Sequence, residues 1–456
     1  MTESEVLVED NGSEKRIDLL NGKIAGALFW LSLPIMGSQF ANLAYILFDT
    51  MWVGQLGNQA VTAVGAAGTF MWIGSGIAMI PQVGGQVMAG QSIGEDDIEK
   101  ARSYARAAVK LMLTGMIIYG LACIVLRHPL ISFYHLHDQK TAAAAESYLA
   151  IVSISNVFMG INIVMEGLLA ATGDSKTSFK YNMVGTALNI VLDPLVIFGV
   201  GPFPALGVNG AAIATVFSEF TVSALFALNV MRDDYLFADF SLSGRSVSKE
   251  MLHIIKLGAP PAIFNIAYAF VSMVISRIIV SFGDAAIAIQ RIGGQIESLT
   301  WMTAEGFSYS MSAFTSQNYG AGSYDRVRKG FYTGTAMMTA FGILVTALMV
   351  LGAAPIFSIF IREPEMIAGG AAYLRIVGLS ELFMCYEMAT TGAFNGLGQT
   401  KLPAAIGLVL TVARIPMCYL LMPSLGINGV WWAMTVSSML KGILLTILFV
   451  YRLKKL

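Results

Sequence analysis

A carboxylate, Asp49, lies inside the long apolar stretch ANLAYILFDTMWVG. A charge in the middle of a membrane span costs roughly 2.5–3.5 kcal/mol on insertion scales, so such a residue needs a reason. Asn42 and Tyr45 precede Asp49 by seven and four residues, which would place all three on one face of a helix. That face could bind a proton or a cation. The alternative is that Asp49 lies near the outer end of its helix and meets water.

A second carboxylate, Asp193, lies in YNMVGTALNIVLDPLVIFG, where Asn182, Asn189 and Asp193 are spaced by seven and then four residues and so share one face of a helix. Pro194 donates no backbone hydrogen bond, so free carbonyls beside a carboxylate and an amide would suit a cation or proton. Asp193 and Asn189 could instead hydrogen-bond neighbouring helices. Thr215 could add a hydroxyl, or could bond its own helix backbone. Two carboxylates in one cavity could exchange a proton near neutral pH or hold Na⁺, and the sequence leaves both open.

Composition limits the class of protein that these residues serve. The 456 residues are 56% hydrophobic and 12% charged, against about 25% charged in soluble proteins. The net charge is −1. These values exclude a disordered chain, a nucleic-acid binder and an ordinary cytosolic enzyme, and they favour a polytopic membrane protein. No Walker loop or nucleophile motif is present, and three scattered Cys predict no metal site, so we expect neither an enzyme nor a cofactor.

The apolar segments are long enough to count. A helical span needs about 20 apolar residues. Twelve stretches meet this length: 24–53, 60–90, 104–127, 143–171, 178–200, 207–230, 251–282, 286–316, 330–352, 366–396, 402–422 and 426–451. With both termini on one side, that side carries 20 of the 28 Lys and Arg residues and the opposite side three, which predicts cytoplasmic termini in the cell membrane.

The sequence contains an internal repeat that covers its two halves. At an offset of 225, YLAIVSISNVFMG (148–160) aligns with YLRIVGLSELFMC (373–385). Six spans per half make the repeat parallel, with a pseudo-two-fold axis along the membrane normal. Upstream, where the offset is 226, the counterpart of Asp49 is Ile275, and at 225 the counterpart of Asp193 is Cys418, so both carboxylates are specific to the first half. The predicted domains are a cytoplasmic tail (1–23), an N-lobe (24–230), a cytoplasmic linker (231–250) and a C-lobe (251–456).

Taken together, the repeat and the motifs FDTMWVGQLG, LNIVLDPLVIFG, QNYGAG, GDSK and GQTK resemble the multidrug and toxic compound extrusion (MATE) transporters. The resemblance covers about residues 20–450. It implies an all-α, V-shaped fold of twelve transmembrane helices in two lobes, and an antiporter that exports amphipathic or cationic compounds against H⁺ or Na⁺. No carboxylate lies between 251 and 283, in the seventh span, and this is typical of the DinF-like branch, which favours H⁺.

The resemblance also implies roles for individual residues. The coupling site would comprise Asp49, Asn189, Asp193 and Thr215. Pro34 would be a hinge in the first span. The substrate cavity would be lined by Asn42, Tyr45, Met51 and Asn182. Met51 belongs to a segment rich in Met and aromatic residues, which suits aromatic cations, although ordinary packing also explains it.

Charges in the second half leave other possibilities open. Glu387 and Arg414 could form internal ion pairs or could face a cavity. Arg277, Arg291 and Arg414 keep a lipid-linked precursor flippase as an alternative function, and a polytopic intramembrane enzyme is the alternative from another class. We expect small amphipathic or cationic substrates, the lipid bilayer as surroundings, no nucleic-acid partner and a monomer.

Overall fold

The computed structural model describes residues 7–8, 16–136, 138–238, 240 and 247–456, so parts of the predicted tail and linker lie outside the described residues. Two short strands, β1 (Leu7–Val8) and β2 (Arg16–Ile17), pair in antiparallel. The helices of the first half are α1 (Ile24–Gly54), α2 (Asn58–Gly94), α3 (Ile98–Val125), α4 (Arg127–Ser132), α5 (Gln139–Ala171), α6 (Lys176–Phe198) and α7 (Val208–Val230).

The second half repeats this order. Its helices are α8 (Ser248–Val280), α9 (Asp284–Gly320), α10 (Tyr324–Leu351), α11 (Ala353–Ser358), α12 (Pro364–Gly378), α13 (Glu381–Gly396), α14 (Lys401–Leu425) and α15 (Ile427–Leu453). Within the part of the chain that the structure describes, ten helices are long and apolar enough to cross a membrane, and α12 with α13 forms an eleventh candidate. The twelfth is α9, whose 37 residues would extend about 56 Å but whose four charged side chains lower its hydropathy.

The parallel repeat is visible in the backbone. Gly57 and Gly283 precede α2 and α9 with φ of 99° and 96°, and Gly207 and Gly426 precede α7 and α15 with φ of 55° and 58°. The same helix pairs also pack together in each half, α2 on α5 and α9 on α13 among them. The two halves differ in one span: α5 is continuous, whereas its counterpart bends by 42° between α12 and α13.

By their contacts the described residues form two units. The N-unit comprises residues from 7–17 and 37–262, and the C-unit comprises residues from 18–36 and 263–456. Both boundaries within helices follow proline closely: Pro34 lies in α1, and Pro260 and Pro261 lie in α8. A proline removes a backbone hydrogen bond and makes a helix easier to bend. These two units are defined by contacts and differ from the N-lobe and C-lobe that the sequence repeat predicts. The two lobes therefore stay a prediction.

Within the N-unit, residues after α7 are anchored rather than loose. Leu236 and Phe237 are 0% and 2% exposed, and they pack in a core that contains α3 side chains. The Asp233 carboxylate pairs with Arg16 at 2.7 Å, and the Arg16 guanidinium lies 4.4 Å from the centre of the Tyr235 ring. The strand β2 is therefore fixed to the described part of the predicted linker.

Small residues allow helices to approach closely. We use one such residue, Gly392, to predict an effect on stability. Gly392 of α13 faces the backbone of α9, so that a Cβ atom at Gly392 would collide with the Ser308 carbonyl. Because backbone atoms cannot move aside cheaply, Gly392→Ala should lower the thermal unfolding midpoint of the purified protein. Gly294→Ala is the matched control, since a Cβ atom at that α9 position meets nothing within 4 Å. Equal midpoints for the two variants would contradict this packing.

Candidate functional site

A cavity of about 470 Å³ lies within the N-unit, between α1, α2, α5, α6 and α7. Its volume falls in the range of small-molecule sites, roughly 300–1,000 Å³. Polar side chains occupy every wall: Ser38, Gln39, Asn42, Tyr45, Asp49, Ser75, Tyr148, Asn162, Glu166, Asn182, Thr186, Thr215, Ser218 and Glu219. The polar faces of five apolar helices are therefore directed toward one space.

The α1 face that contains Asp49 lines this cavity, as do Asn42 and Tyr45 of the same helix. The Tyr45 and Thr215 hydroxyls are 2.9 Å apart and form a hydrogen bond, which connects α1 to α7. The Asp49 Oδ1 atom is buried and has no hydrogen-bond partner among the described residues. A buried acceptor without a partner retains its full capacity to bind a proton or a ligand donor.

Asn189 and Asp193 of α6 are not among the described residues that line the cavity. Both are fully buried, and the Asn189 Nδ2 atom donates to Asp193 Oδ1 at 3.2 Å. Asp193 Oδ2 and Asn189 Oδ1 have no partner in the described part of the chain. Asp49 and Asp193 are close enough for their charges to interact, and each also interacts with the buried Tyr148. The two carboxylates singled out by the sequence thus share one buried region.

The other three residues named from the sequence, Asn182, Met51 and Pro34, lie in three different places. Asn182 of α6 lines the cavity. Met51 is 45% exposed and is not among the described lining residues, because two residues beyond Asp49 the helix face has turned away. Pro34 lies inside α1, three residues before the boundary at Gly37 where the N-unit begins.

Sequence reasoning left two cavity carboxylates unassigned, Glu166 of α5 and Glu219 of α7. The Asn162 amide donates to Glu219 Oε2 at 2.6 Å, and the Ser223 hydroxyl donates to Asn162 Oδ1 at 2.9 Å. Glu166 Oε1 is buried without a hydrogen-bond partner among the described residues. The repeat held a usable signal, because the uncharged Thr391 is the counterpart of Glu166 at the offset of 225.

The charge in the cavity has one sign. Asp49, Glu166 and Glu219 line it, whereas its described lining contains no Lys, Arg or His. Trp72 and Tyr148 add aromatic faces, which attract organic cations. Among the described residues no three His, Cys, Asp or Glu side chains lie together as a metal cage. The arrangement suits protons and organic cations.

The C-unit uses its charges differently. Glu387 Oε1 and Lys441 Nζ form a buried ion pair at 2.8 Å. The Arg414 guanidinium, at the position that corresponds to Asn189, donates to the Ser437 and Ser438 hydroxyls at 3.0 Å each. Of the two possibilities that the sequence left open, Glu387 thus forms an internal ion pair, and Arg414 is hydrogen-bonded to serine hydroxyls.

Comparison with known proteins gives consistent matches along the chain. The sequence profile of the MatE family matches residues 34–195 and 260–420. The chain is 26% identical over 434 residues to a probable multidrug resistance protein NorM of Thermotoga maritima, covering 94% of this chain and 92% of that protein. It is 25% identical over 434 residues to an FAD transporter of Shewanella oneidensis, covering 94% and 95%. A crystal structure of a variant of the Vibrio cholerae MATE transporter VcmN superposes with a TM-score of 0.89 at 20% identity, covering 95% of this chain and 98% of that one.

Proposed function

Since this chain belongs to the MatE family, and is therefore a multi-pass membrane transporter rather than an enzyme, we propose that it is a cation-coupled antiporter that exports amphipathic, cationic compounds. H⁺ is the coupling ion that we favour over Na⁺. The coupling site comprises Asp49, Asn189, Asp193 and Thr215. Asn189 donates to Asp193, and Thr215 bonds Tyr45, which lies four residues before Asp49 on α1. Asn42, Tyr45 and Asn182 belong to the cavity where the substrate binds.

The observation that carries the proposal is that the half-buried Asp49 and the fully buried Asp193 both lack a positively charged partner among the described residues. Asp193 receives one hydrogen bond, from the neutral Asn189, and Asp49 Oδ1 receives none from the described residues. An ionised carboxylate without a positive partner is costly in a buried site, and two of them close together are costlier. A proton on either one, or a cationic substrate beside Asp49, removes that cost. Substrate and proton therefore compete for one negative charge, which is the requirement for antiport.

The transport cycle follows from this competition. A substrate cation entering from the cytoplasm would bind the cavity when Asp49 is ionised. Protonation from the outside would neutralise Asp49 or Asp193, weaken the hold on the cation and release it outward. Pro34, close to the point where α1 passes from one contact unit to the other, would provide the bend in that helix. Proton release to the cytoplasm would restore the initial charge.

The cavity also bears on the alternatives. A lipid-linked precursor flippase would need a cationic cavity for phosphate groups, and the described lining here is acidic. The same argument disfavours a dinucleotide such as that implied by the name of the Shewanella oneidensis relative. The distribution of Lys and Arg supports cytoplasmic termini, and the lack of a carboxylate between residues 251 and 283 supports the DinF-like branch. A monomer in the cell membrane is part of the same proposal.

The test is ligand efflux from proteoliposomes, with a pH gradient and a Na⁺ gradient imposed in separate experiments. Ethidium, an aromatic cation, is a suitable fluorescent ligand. We expect efflux that follows the pH gradient and is unaffected by Na⁺. If efflux is driven by the Na⁺ gradient alone, the coupling ion is Na⁺ and not H⁺. If neither gradient drives efflux of any organic cation, the antiport proposal is wrong.

A further inference from the structure

The coupling reaction leaves Glu166 and Glu219 of the same cavity unused. Both lie on helices, α5 and α7, that differ from those of Asp49 and Asp193. The counterpart of Glu166 is Thr391, and the counterpart of Glu219 is Ser438 at the offset of 219 that aligns LGVNGAA (206–212) with LGINGVW (425–431), so both carboxylates occur in the first half only. A purely structural carboxylate would more often recur in both halves. Their position in the cavity wall calls for a partner that bears positive charge.

Glu219 is held in a fixed orientation. The chain of hydrogen bonds runs from the Ser223 hydroxyl to Asn162 Oδ1, and from Asn162 Nδ2 to Glu219 Oε2. The Ser223 hydroxyl is placed at hydrogen-bond distance from the Phe158 carbonyl as well. Neutral donors of this kind orient a carboxylate without neutralising it. Glu219 is therefore oriented in the cavity wall by neutral partners, and the described lining holds no positive side chain that would satisfy its charge.

The opposite situation holds for Glu166, whose Oε1 atom is buried without a partner in the described structure. Two serine hydroxyls of the lining, Ser38 and Ser218, are 5% and 3% exposed and also have no hydrogen-bond partner among the described side chains. Buried polar groups are almost always paired, so a cluster of unpaired ones around a cavity indicates a ligand that pairs with them. The required ligand combines positive charge with hydrogen-bond capacity.

The chemistry of the walls between the carboxylates defines the rest of the ligand. Trp72 and Tyr148 offer aromatic faces, and Met71 and Met159 offer flexible thioethers. Such side chains bind flat aromatic or alkylammonium groups of varied shape. No three acidic residues of the described chain cluster as for one chelated metal ion, which favours charges distributed along an organic molecule.

We propose that Glu166 and Glu219 are substrate-recognition carboxylates, and that they give this cavity a preference for aromatic cations with two positive centres. The proposal rests on the proposed function for its substrate class and deepens it. The two glutamates select the substrate by its charges, while Asp49 and Asp193 provide the charge for which the bound substrate and the proton compete. A cation with one positive centre satisfies one of these glutamates, and a dication satisfies both.

Ethidium and propidium form a matched pair for the test, because propidium is the same phenanthridinium with a second, quaternary ammonium group. Equilibrium binding to purified protein in detergent is followed by fluorescence at one fixed pH. We expect the wild type to bind propidium about tenfold more tightly than ethidium, a factor that corresponds to about 1.4 kcal/mol. Glu166→Gln and Glu219→Gln should each reduce this preference, and the double variant should abolish it.

Two controls separate recognition from charge loss and misfolding. Glu146→Gln removes a carboxylate from the same helix α5, where Glu146 pairs with His128 at 2.8 Å outside the cavity lining, and it should keep the full preference. Asn162→Ala removes no charge but frees Glu219, and it should reduce the preference in a protein that keeps both glutamates. Persistence of the tenfold preference in the double variant, or its loss in Glu146→Gln, would overturn the proposal.

The same variants distinguish this inference from the antiport itself. Equilibrium binding needs no gradient, so a lost preference supports the recognition role even if the wild type proves not to be proton-coupled. Conversely, Glu146→Gln, outside the cavity lining, should move ethidium under a pH gradient at the wild-type rate, whereas Glu166→Gln should still respond to the gradient but need a higher ethidium concentration for half-maximal efflux. Normal ethidium binding with abolished transport in Glu166→Gln would make Glu166 a coupling residue and overturn its assignment to recognition.

Discussion

Replacing Asp49 by Asn should abolish efflux driven by a pH gradient, down to the level of protein-free vesicles, while the protein still inserts and folds. The amide keeps the shape of the carboxylate but neither takes up a proton nor carries a charge. Because Asp49 faces the cavity and has an unpaired oxygen, its loss removes the charge for which substrate and proton compete. Efflux of ethidium from proteoliposomes, with equal protein incorporation, measures this loss.

The matched control for Asp49→Asn is Asp284→Asn. Asp284 is an exposed carboxylate in the first turn of α9, in the C-unit, and its replacement should leave efflux at the wild-type rate. Ethidium binding by Asp49→Asn should remain measurable, since Glu166 and Glu219 stay in the cavity. Wild-type efflux by Asp49→Asn would remove Asp49 from the mechanism.

Replacing Lys441 by Met should destabilise the protein by about 3–5 kcal/mol, the usual cost of leaving one member of a buried ion pair unpaired. The Lys441 and Glu387 side chains are 5% and 7% exposed, so water cannot compensate the stranded Glu387 charge. The ammonium group also lies 6.0 Å from the centre of the Phe264 ring. The uncharged Met side chain would lose this cation–π attraction. We expect the purified Lys441→Met variant to have a lower thermal unfolding midpoint in detergent than the wild type.

The double variant Lys441→Met with Glu387→Gln provides the control. It removes both charges, and it should recover most of the lost stability because no uncompensated charge remains. If the double variant is as unstable as Lys441→Met alone, packing rather than charge pairing explains the loss. If Lys441→Met is as stable as the wild type, the pair contributes nothing to stability.

The membrane fold was predictable because its signal is local. Apolar segments of sufficient length specify helices, and the repeat at an offset of 225 specifies two similar halves. The bend between α12 and α13 was not predictable, since the counterpart helix α5 has a similar sequence and is continuous. The short helices α4 and α11 and the small hairpin likewise fall in segments without a strong periodic pattern.

The candidate site was predictable only in part, for a related reason. Spacing along one helix placed Asn42, Tyr45 and Asp49 together, and the structure directs that face into the cavity. Spacing within a helix does not show which other helix a residue faces. Glu166 and Glu219 therefore required the packing of α5 and α7 to be known, and the pairing of Glu387 with Lys441 joins residues 54 positions apart.

The central claim is that substrate and proton exchange across the membrane through one buried carboxylate region, and proton movement tests it most directly. Proteoliposomes with a trapped pH-sensitive dye, no imposed gradient and ethidium added outside should show a rise in internal pH as ethidium enters, because each cation that enters drives protons out. Asp49→Asn vesicles should show no change. Ethidium entry into wild-type vesicles at constant internal pH would contradict proton-coupled antiport.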